Sequence, residues 1–372
     1  MYDQVREDLF FIMFYAVTTA MAMLASCYLL FRRGNAFAID ITPPIRLRRW
    51  AAAFFAAFAL NHIWYMPIFF LTSSEDIMMN DLIGGLLDSI TVFPLMIIVL
   101  FAMLQDRKRP LWPIAAMMTP IVVGGAWCVV TRSYAIVPTV YVYALLMCIG
   151  LIIYMVRALR QYGRWLRDNF ADLEHKEVWQ NFVVLAITLL VFVIYAFTSE
   201  GPVYQYAMLV IGMVLIGYLL WRVETLSDLS IPLPLAINEE AVITEEEDEK
   251  ENTLSQSIRN NIGSKLKQHC EEPQLYLQHD ISVSQLAKLI GVNRSYLSKH
   301  FALQGITYNA YINGLRIQHF VNLYHEAATA HQPITAHQLA YQSGFHSYST
   351  FSAAFKQVKG MTATEWMRLS EK

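Results

Sequence analysis

The sequence predicts an all-α protein, in which a seven-helix transmembrane bundle precedes a helical domain with two helix-turn-helix motifs. Three observations predict this fold class. Hydrophobic residues make up 56% of the 372 residues and charged residues only 16%, whereas charged residues make up about a quarter of a typical soluble chain. The apolar residues form long continuous runs before residue 222. A short amphipathic pattern occurs twice after residue 280.

The apolar runs predict seven membrane-spanning helices. A helix needs roughly 20 residues to cross the hydrocarbon core of a bilayer. Because the backbone must satisfy its own hydrogen bonds in lipid, only helices and closed barrels span it, and continuous rather than alternating runs favour helices. The runs cover residues 9–31, 50–71, 82–104, 111–130, 136–156, 178–198 and 203–221. A cleaved signal peptide is an alternative for the first run alone, but Arg32 and Arg33 follow that run as a stop-transfer flank would.

Lysine and arginine residues predict the orientation of this membrane domain, residues 1–221. Thirteen of them lie in the segments 32–49, 105–110 and 157–177, whereas the alternate segments contain only Arg6 and Arg132. Cytoplasmic loops are enriched in Lys and Arg. The N-terminus is therefore expected outside the cell and the C-terminus inside it.

Two ionisable residues within the predicted spans, His62 and Asp88, are candidate sensing residues, because ionisable groups are costly inside a membrane. Both are expected roughly 9–14 Å below the outer surface. There they would face each other at the floor of an outward-facing pocket, with Asn61, Trp64 and Tyr65 nearby. The alternative is a structural hydrogen bond between helices. Outer loops of only about five to ten residues exclude a separate sensor domain, so the expected signal is an unknown small ligand, a lipid or a membrane partner.

Residues 222–252 are predicted to form an acidic linker. They contain ten Asp or Glu residues against two Lys or Arg residues, and include the run EEAVITEEEDEKE. Such a run is typical of a solvated, flexible connection. The other hypothesis is that it masks the basic domain that follows, residues 253–372, which contains eleven Lys or Arg and six Asp or Glu residues.

Residues 282–301 read SVSQLAKLIGVNRSYLSKHF, a pattern that predicts a helix-turn-helix motif. Gly291 is free to adopt the positive φ that ends the first helix, and Asn293 is a favourable cap for the second. Leu297 and Phe301 are four residues apart and predict the buried stripe of that second helix.

The same pattern recurs in residues 335–355, TAHQLAYQSGFHSYSTFSAAF, with a turn that is one residue longer. A helical stretch at about 307–328 separates the two copies, and its length is roughly 31 Å. Adjacent major-groove windows on one face of DNA are about 34 Å apart. One chain is therefore expected to place two recognition helices in successive grooves.

The C-terminal region resembles the DNA-binding domain of AraC/XylS-type bacterial regulators over about residues 255–370. The resemblance rests on the stretches LAKLIGVNRSYLSKHF, YIN with LRI at residues 311–317, and GFHSYSTFSAAFKQVKGMTATEW. It implies a bacterial protein, about seven helices, and two recognition helices that enter double-stranded DNA. The chain departs from the family pattern at residues 302–305, and at Ala353, where members often carry Arg, so the second motif is expected to read fewer base edges.

Helical spacing and the resemblance together nominate residues for DNA contact. The candidate base contacts are Ser295, Ser298, Lys299, Tyr348 and Ser349. The candidate phosphate contacts are Arg294, Thr350 and Lys356. The alternative for each is an ordinary solvated helix face. Arg316, in the linking helix, is expected to be structural or to contact phosphate.

The sequence contains no pattern that predicts catalysis, a cofactor or a metal site. Eight of the ten His residues follow residue 260, but their spacing matches no zinc site. No P-loop, nucleophile elbow, kinase signature or H-E-x-x-H helix occurs. We therefore expect a transcription regulator, not an enzyme, in the bacterial inner membrane, with DNA and lipid as partners and a homodimer as one arrangement. The alternative is a seven-span receptor or scaffold whose helix-turn-helix module binds another protein.

Overall fold

The structure, a computed structural model, describes residues 8–32, 35–38, 41–174, 176–180, 182–183, 202–229, 262–330 and 335–370. Within these residues the fold is helical, and the only extended pairing is an isolated bridge between Phe170 and Ser282. The all-α prediction is therefore confirmed. The chain divides into two compact units. The apolar unit comprises Met1–Tyr162 and Val178–Ile231, and the helical domain comprises Gly163–Glu177 and Pro232–Lys372.

Long apolar helices build the first unit. They are α1 (Leu9–Phe31), α2 (Ile45–Tyr65), α3 (Ser74–Ile90), α4 (Val92–Met103), α5 (Trp112–Thr131), α6 (Val137–Asn169) and α7 (Pro202–Thr225). A 3-10 turn extends α2 to Phe69, and α3 and α4 meet at Thr91 and together form one candidate span. Six candidate spans result among the described residues, each long and apolar enough to cross a membrane. They correspond to six of the seven predicted spans, whereas predicted span 178–198 lies mostly outside the described residues.

Helix α6 is longer than its apolar run. The run ends near residue 156, but the helix continues to Asn169. Ala158, Tyr162 and Leu166 follow one another at intervals of four and are all buried, so the helical period continues after the hydropathy falls. The end of α6 therefore lies within segment 157–177, which the sequence predicts only as a cytoplasmic connection.

The helical domain has two hydrophobic cores, one for each helix-turn-helix motif. Helical turns at 262–266 and a π-helical turn at Lys267–Glu271 precede the motifs. The later helices are α8 (Val283–Leu289), α9 (Arg294–Leu303), α10 (Tyr308–Thr329), α11 (Ala336–Gln342), α12 (Tyr348–Lys359) and α13 (Ala363–Ser370). Leu286, Leu297 and Phe301 belong to the first core, and Phe320, Phe351 and Phe355 to the second. The N-terminal part of α10 contributes to the first core and its middle to the second, so this helix joins the two motifs. The acidic run in predicted linker 222–252 lies outside the described residues.

Candidate nucleic-acid interface

The first helix-turn-helix motif consists of α8 and α9. Ser282 and Gln285 form a reciprocal capping box at the start of α8. Gly291 has a φ of 64° in the turn, and the Asn293 side chain accepts a hydrogen bond of 2.9 Å from the backbone N–H of Ser295. These contacts confirm the predicted turn and cap, and they fix the direction in which α9 leaves the turn.

The second motif consists of α11 and α12 and repeats the same local chemistry. Thr335 and Gln338 form a capping box, and Gly344 has a φ of 84°. The connection runs from Ser343 to Ser347, one residue longer than the connection from Ile290 to Asn293, as predicted. The Ser347 hydroxyl caps α12 by accepting from the backbone N–H of Thr350 at 3.3 Å.

The two recognition helices leave all of their predicted contact residues at least partly exposed, although Tyr348 also packs against the second core. In α9, Arg294, Ser295 and Lys299 are exposed and Ser298 is partly buried. In α12, Ser349 and Lys356 are exposed, and Tyr348 and Thr350 are partly buried. This placement satisfies the steric condition for contact with DNA. The assignments to bases or to phosphates stay predictions.

Several of these side chains have partners that sequence reasoning missed. The Ser347 hydroxyl is hydrogen-bonded to those of Ser349 at 2.9 Å and Thr350 at 3.0 Å. The ring of Tyr348 is stacked on that of His337, with centroids 5.5 Å apart and an interplanar angle of 28°. Ser347 carries a sequence signal, since Ser is a favourable N-cap.

Comparison with known proteins identifies the same region. Residues 286–369 match the protein family described as a helix-turn-helix domain. The C-terminal domain is an AraC-type helix-turn-helix domain.

An uncharacterized HTH-type transcriptional regulator of Staphylococcus aureus strain MRSA252 is 30% identical over 113 residues, which are 30% of this chain and 14% of that protein. A second S. aureus regulator with the same description is 32% identical over the same shares of the two chains. The chain thus matches only 14% of the length of these relatives, and no solved structure matches it.

Arg316 holds the two halves of the AraC-type domain together. It is 0% exposed, and its guanidinium donates to the carbonyl oxygens of Tyr276 at 2.7 Å and Gln278 at 2.9 Å. It also lies 5.5 Å from the ring centroid of Phe345, in the second core. Burial lowers the pKa of Arg316, and the negative charge of Asp172 opposes that shift. The structural interpretation of Arg316 is therefore confirmed, and phosphate contact is excluded by burial.

In the apolar unit, His62 and Asp88 are both buried but have different partners. The Asp88 carboxylate accepts from the Asn61 amide at 2.7 Å and from the Tyr65 hydroxyl at 3.2 Å, so it joins α2 to α3. The His62 Nδ1 lies 3.0 Å from the Phe58 carbonyl oxygen, and the Tyr15 hydroxyl donates to the His62 carbonyl oxygen. The interhelical hydrogen bond offered as the alternative for Asp88 is thus present. A sensing role for either residue stays a prediction.

A cavity of about 470 Å³ lies among α1, α2, α3 and α7 in the apolar unit. His62, Asn61 and Tyr65 line it, together with the aromatic rings of Phe11 and Tyr15. Asp88 is not part of the lining; it is bonded to Asn61 and Tyr65, which are. Among the described residues no group of three His, Cys, Asp or Glu side chains could hold a metal ion.

Proposed function

We propose that this protein is a membrane-embedded transcription regulator that binds specific DNA sequences and responds to a signal perceived within or outside the membrane. One observation carries the proposal: six helices that are long and apolar enough to cross a bilayer share a chain with an AraC-type domain. Such a combination gives one polypeptide both a membrane location and a DNA-reading surface.

The charge pattern supports a cytoplasmic position for the DNA-binding domain in a bacterial inner membrane. Thirteen Lys or Arg residues occupy the segments on the side of the membrane where the AraC-type domain is expected, against two on the other side. DNA would then be within reach of the domain. A cysteine-reactive, membrane-impermeant label at an engineered cysteine in α13 should react only after the cells are opened. Labelling of intact cells would place the domain outside and end the proposal.

DNA binding is proposed to use both recognition helices. Lys299 and Ser295 are exposed on α9 and Ser349 on α12, and Lys and Ser pair with base edges in the major groove. Helix α10 contains 22 residues, which corresponds to a length of about 33 Å and thus to the separation of successive major grooves, about 34 Å.

The signal is proposed to be a small ligand that enters the cavity of the apolar unit. His62 lines this cavity, whereas Asp88 contacts two of its lining residues. We therefore assign ligand contact to His62, and to Asp88 the positioning of Asn61 and Tyr65. A promoter reporter in cells should lose its response in His62→Ala, and the ligand concentration for half response should rise in Asp88→Asn. An unchanged response in both variants would exclude the cavity.

The central experiment measures DNA binding by the full-length protein in lipid nanodiscs. Genomic occupancy of the tagged protein first supplies the target sequence. The logarithm of the binding constant should then fall linearly with the logarithm of salt concentration. Each neutralised phosphate should contribute about −0.9 to the slope. A flat salt dependence, with no preference for the occupied sequence, would favour the receptor or scaffold alternative.

A further inference from the structure

Segment 163–177, which joins two predicted spans, packs on the first helix-turn-helix motif within the helical domain. The Ala171 N–H donates to the Ile281 carbonyl oxygen at 3.3 Å, and Phe170 and Ser282 form an antiparallel bridge. The Asn309 amide donates to the Ala171 carbonyl oxygen at 2.5 Å. Ala171 belongs to the first hydrophobic core. Segment 163–177 is therefore bound by backbone and side-chain contacts rather than only lying near the domain.

Opposite charges also hold segment 163–177 on the first helix-turn-helix motif. The Lys176 ammonium lies 2.5 Å from the Asp280 carboxylate, with side chains 7% and 26% exposed. Asp172 is 1% exposed, and its negative charge acts on the buried guanidinium of Arg316. A buried charge is costly unless an opposite charge compensates it. Segment 163–177 thus supplies part of the electrostatic balance of the AraC-type domain.

The contact also reaches a residue of the recognition helix. The Arg294 guanidinium, in the first turn of α9, donates to the Asn169 side-chain oxygen. The amide nitrogen of Asn169 donates to the Trp165 carbonyl oxygen at 2.6 Å, which orients that oxygen. Arg294 is the only predicted phosphate contact in α9, and the Asn169 oxygen occupies the Nη2 donor of its guanidinium group and holds that group against segment 163–177.

We infer that segment 163–177 docks on the first helix-turn-helix motif and competes with DNA for Arg294. The inference rests on the proposed function. Because α6 is one continuous helix from Val137 to Asn169, a displacement of its apolar part would change the docking equilibrium. Undocking would then raise the affinity for DNA, and DNA binding would favour undocking by the same factor, as linkage requires.

A reversible disulfide tests the docking directly in the full-length protein. Partners in an antiparallel bridge have Cα atoms about 4.5–5.5 Å apart, within the span of about 4.4–6.8 Å that a disulfide accepts. The double variant Phe170→Cys, Ser282→Cys should therefore cross-link in nanodiscs on treatment with copper phenanthroline. The oxidised form should bind the target DNA about tenfold more weakly than the reduced form of the same variant, as loss of a hydrogen bond to a charged group implies.

Each outcome of this cross-linking experiment has one meaning. Failure of the two cysteines to cross-link, while DNA binding is retained, would overturn the docking. Equal affinity in the oxidised and reduced forms would overturn the competition. Absence of DNA binding by the unmodified protein would instead overturn the proposed function, and the competition with it. The single variants Phe170→Cys and Ser282→Cys, treated with the same oxidant, serve as controls.

A second measurement isolates the Arg294 contact. Asn169→Ala frees the guanidinium and should tighten DNA binding by about threefold or more, since an intramolecular competitor is lost. In an Arg294→Ala background the same substitution should have no effect on affinity. Gln161→Ala, an exposed neutral position on α6, is the matched control. Tightening that persists without Arg294, or no tightening in its presence, would overturn the assignment of Asn169 as the competitor.

Discussion

Gly344 lies directly against the backbone of Leu277: a β-carbon on Gly344 would be 2.7 Å from both the Cα atom and the carbonyl oxygen of Leu277. The carbonyl oxygen of Gly344 is also 3.0 Å from Nδ1 of His279. Leu277 packs on the first core, whereas Gly344 is in the turn of the second motif. This close approach, like the buried Arg316, sets the position of one recognition helix relative to the other.

Gly344→Ala should destabilise the AraC-type domain by about 3 kcal/mol, because the added methyl meets backbone and the residue has positive φ. Gly291→Ala is the matched control: Gly291 has a φ of 64° but no atom within 4 Å of an added β-carbon. It should cost only about 1 kcal/mol. The measurement is urea unfolding of the full-length protein in nanodiscs. Unfolding is detected by the reaction of the Cys270 thiol, which is buried in the folded domain. Equal losses of stability in the two variants would show that the close approach of Gly344 to the Leu277 backbone adds no steric cost.

Arg316→Ala should destabilise the domain by about 3–5 kcal/mol, because it removes the donor from the buried carbonyl group of Tyr276 and the part-buried one of Gln278 and leaves the Asp172 charge uncompensated. Arg316→Lys should also destabilise the domain, since an ammonium group cannot reproduce the planar fork of donors. Gln318→Ala, an exposed position on the same helix, should change stability by less than about 0.5 kcal/mol. The same urea unfolding measurement tests this prediction. A loss of stability in Arg316→Ala no larger than that in Gln318→Ala would contradict the structural role of Arg316.

Lys299→Ala should relax the sequence preference of DNA binding by about 1–3 kcal/mol at one base pair, as expected for loss of a base contact. Lys356→Ala should instead weaken binding to all sequences alike and reduce the salt slope by about 1, as expected for loss of a phosphate contact. Both residues are exposed, so neither substitution should unfold the domain. Competition binding against a library of target variants measures both effects, and identical specificity profiles for the two variants would reject the assignment.

The stability of the AraC-type domain should fall as the pH drops below about 6.5. Burial lowers the pKa of the His300 and His319 imidazoles from their ordinary value of 6.5. The unfolded chain therefore binds more protons than the folded domain as the pH falls through that value, so stability present above it is lost below it. Urea midpoints at pH 7.5 and 5.5 should differ in this direction, and His300→Gln with His319→Gln should reduce the difference. A urea midpoint that is higher at pH 5.5 than at pH 7.5 would contradict the predicted direction of the pH dependence.

Local pattern was enough to predict much of the helical domain. Gly291, Asn293 and Leu297 occupy the places that their spacing predicted, because a turn, a cap and a buried stripe depend on neighbours within a few residues. The same holds for the repeat that ends at Phe355. The apolar run does not predict the continuation of α6 to Asn169, although the interval of four between Tyr162 and Leu166 indicates it.

The partners of His62 and Asp88 show where local pattern was insufficient. Hydropathy placed both residues within spans, and both are buried. Their rotation about α2 and α3 depends on how the helices pack against each other. Asp88 consequently bonds to Asn61 and Tyr65, and His62 lines the cavity, an arrangement that no spacing along one helix specifies.

The sequence is sufficient to predict the all-helical class, six apolar spans among the described residues, and the two helix-turn-helix motifs with their turns and buried stripes. These features follow from periodicity and capping, which act over a few residues. The contacts of Asn169 with Arg294, across 125 residues of sequence, and of Lys176 with Asp280, across 104, become visible only in the folded chain. Such contacts arise because distant segments pack around a shared core, and no local pattern of residues encodes which segment will fill that place.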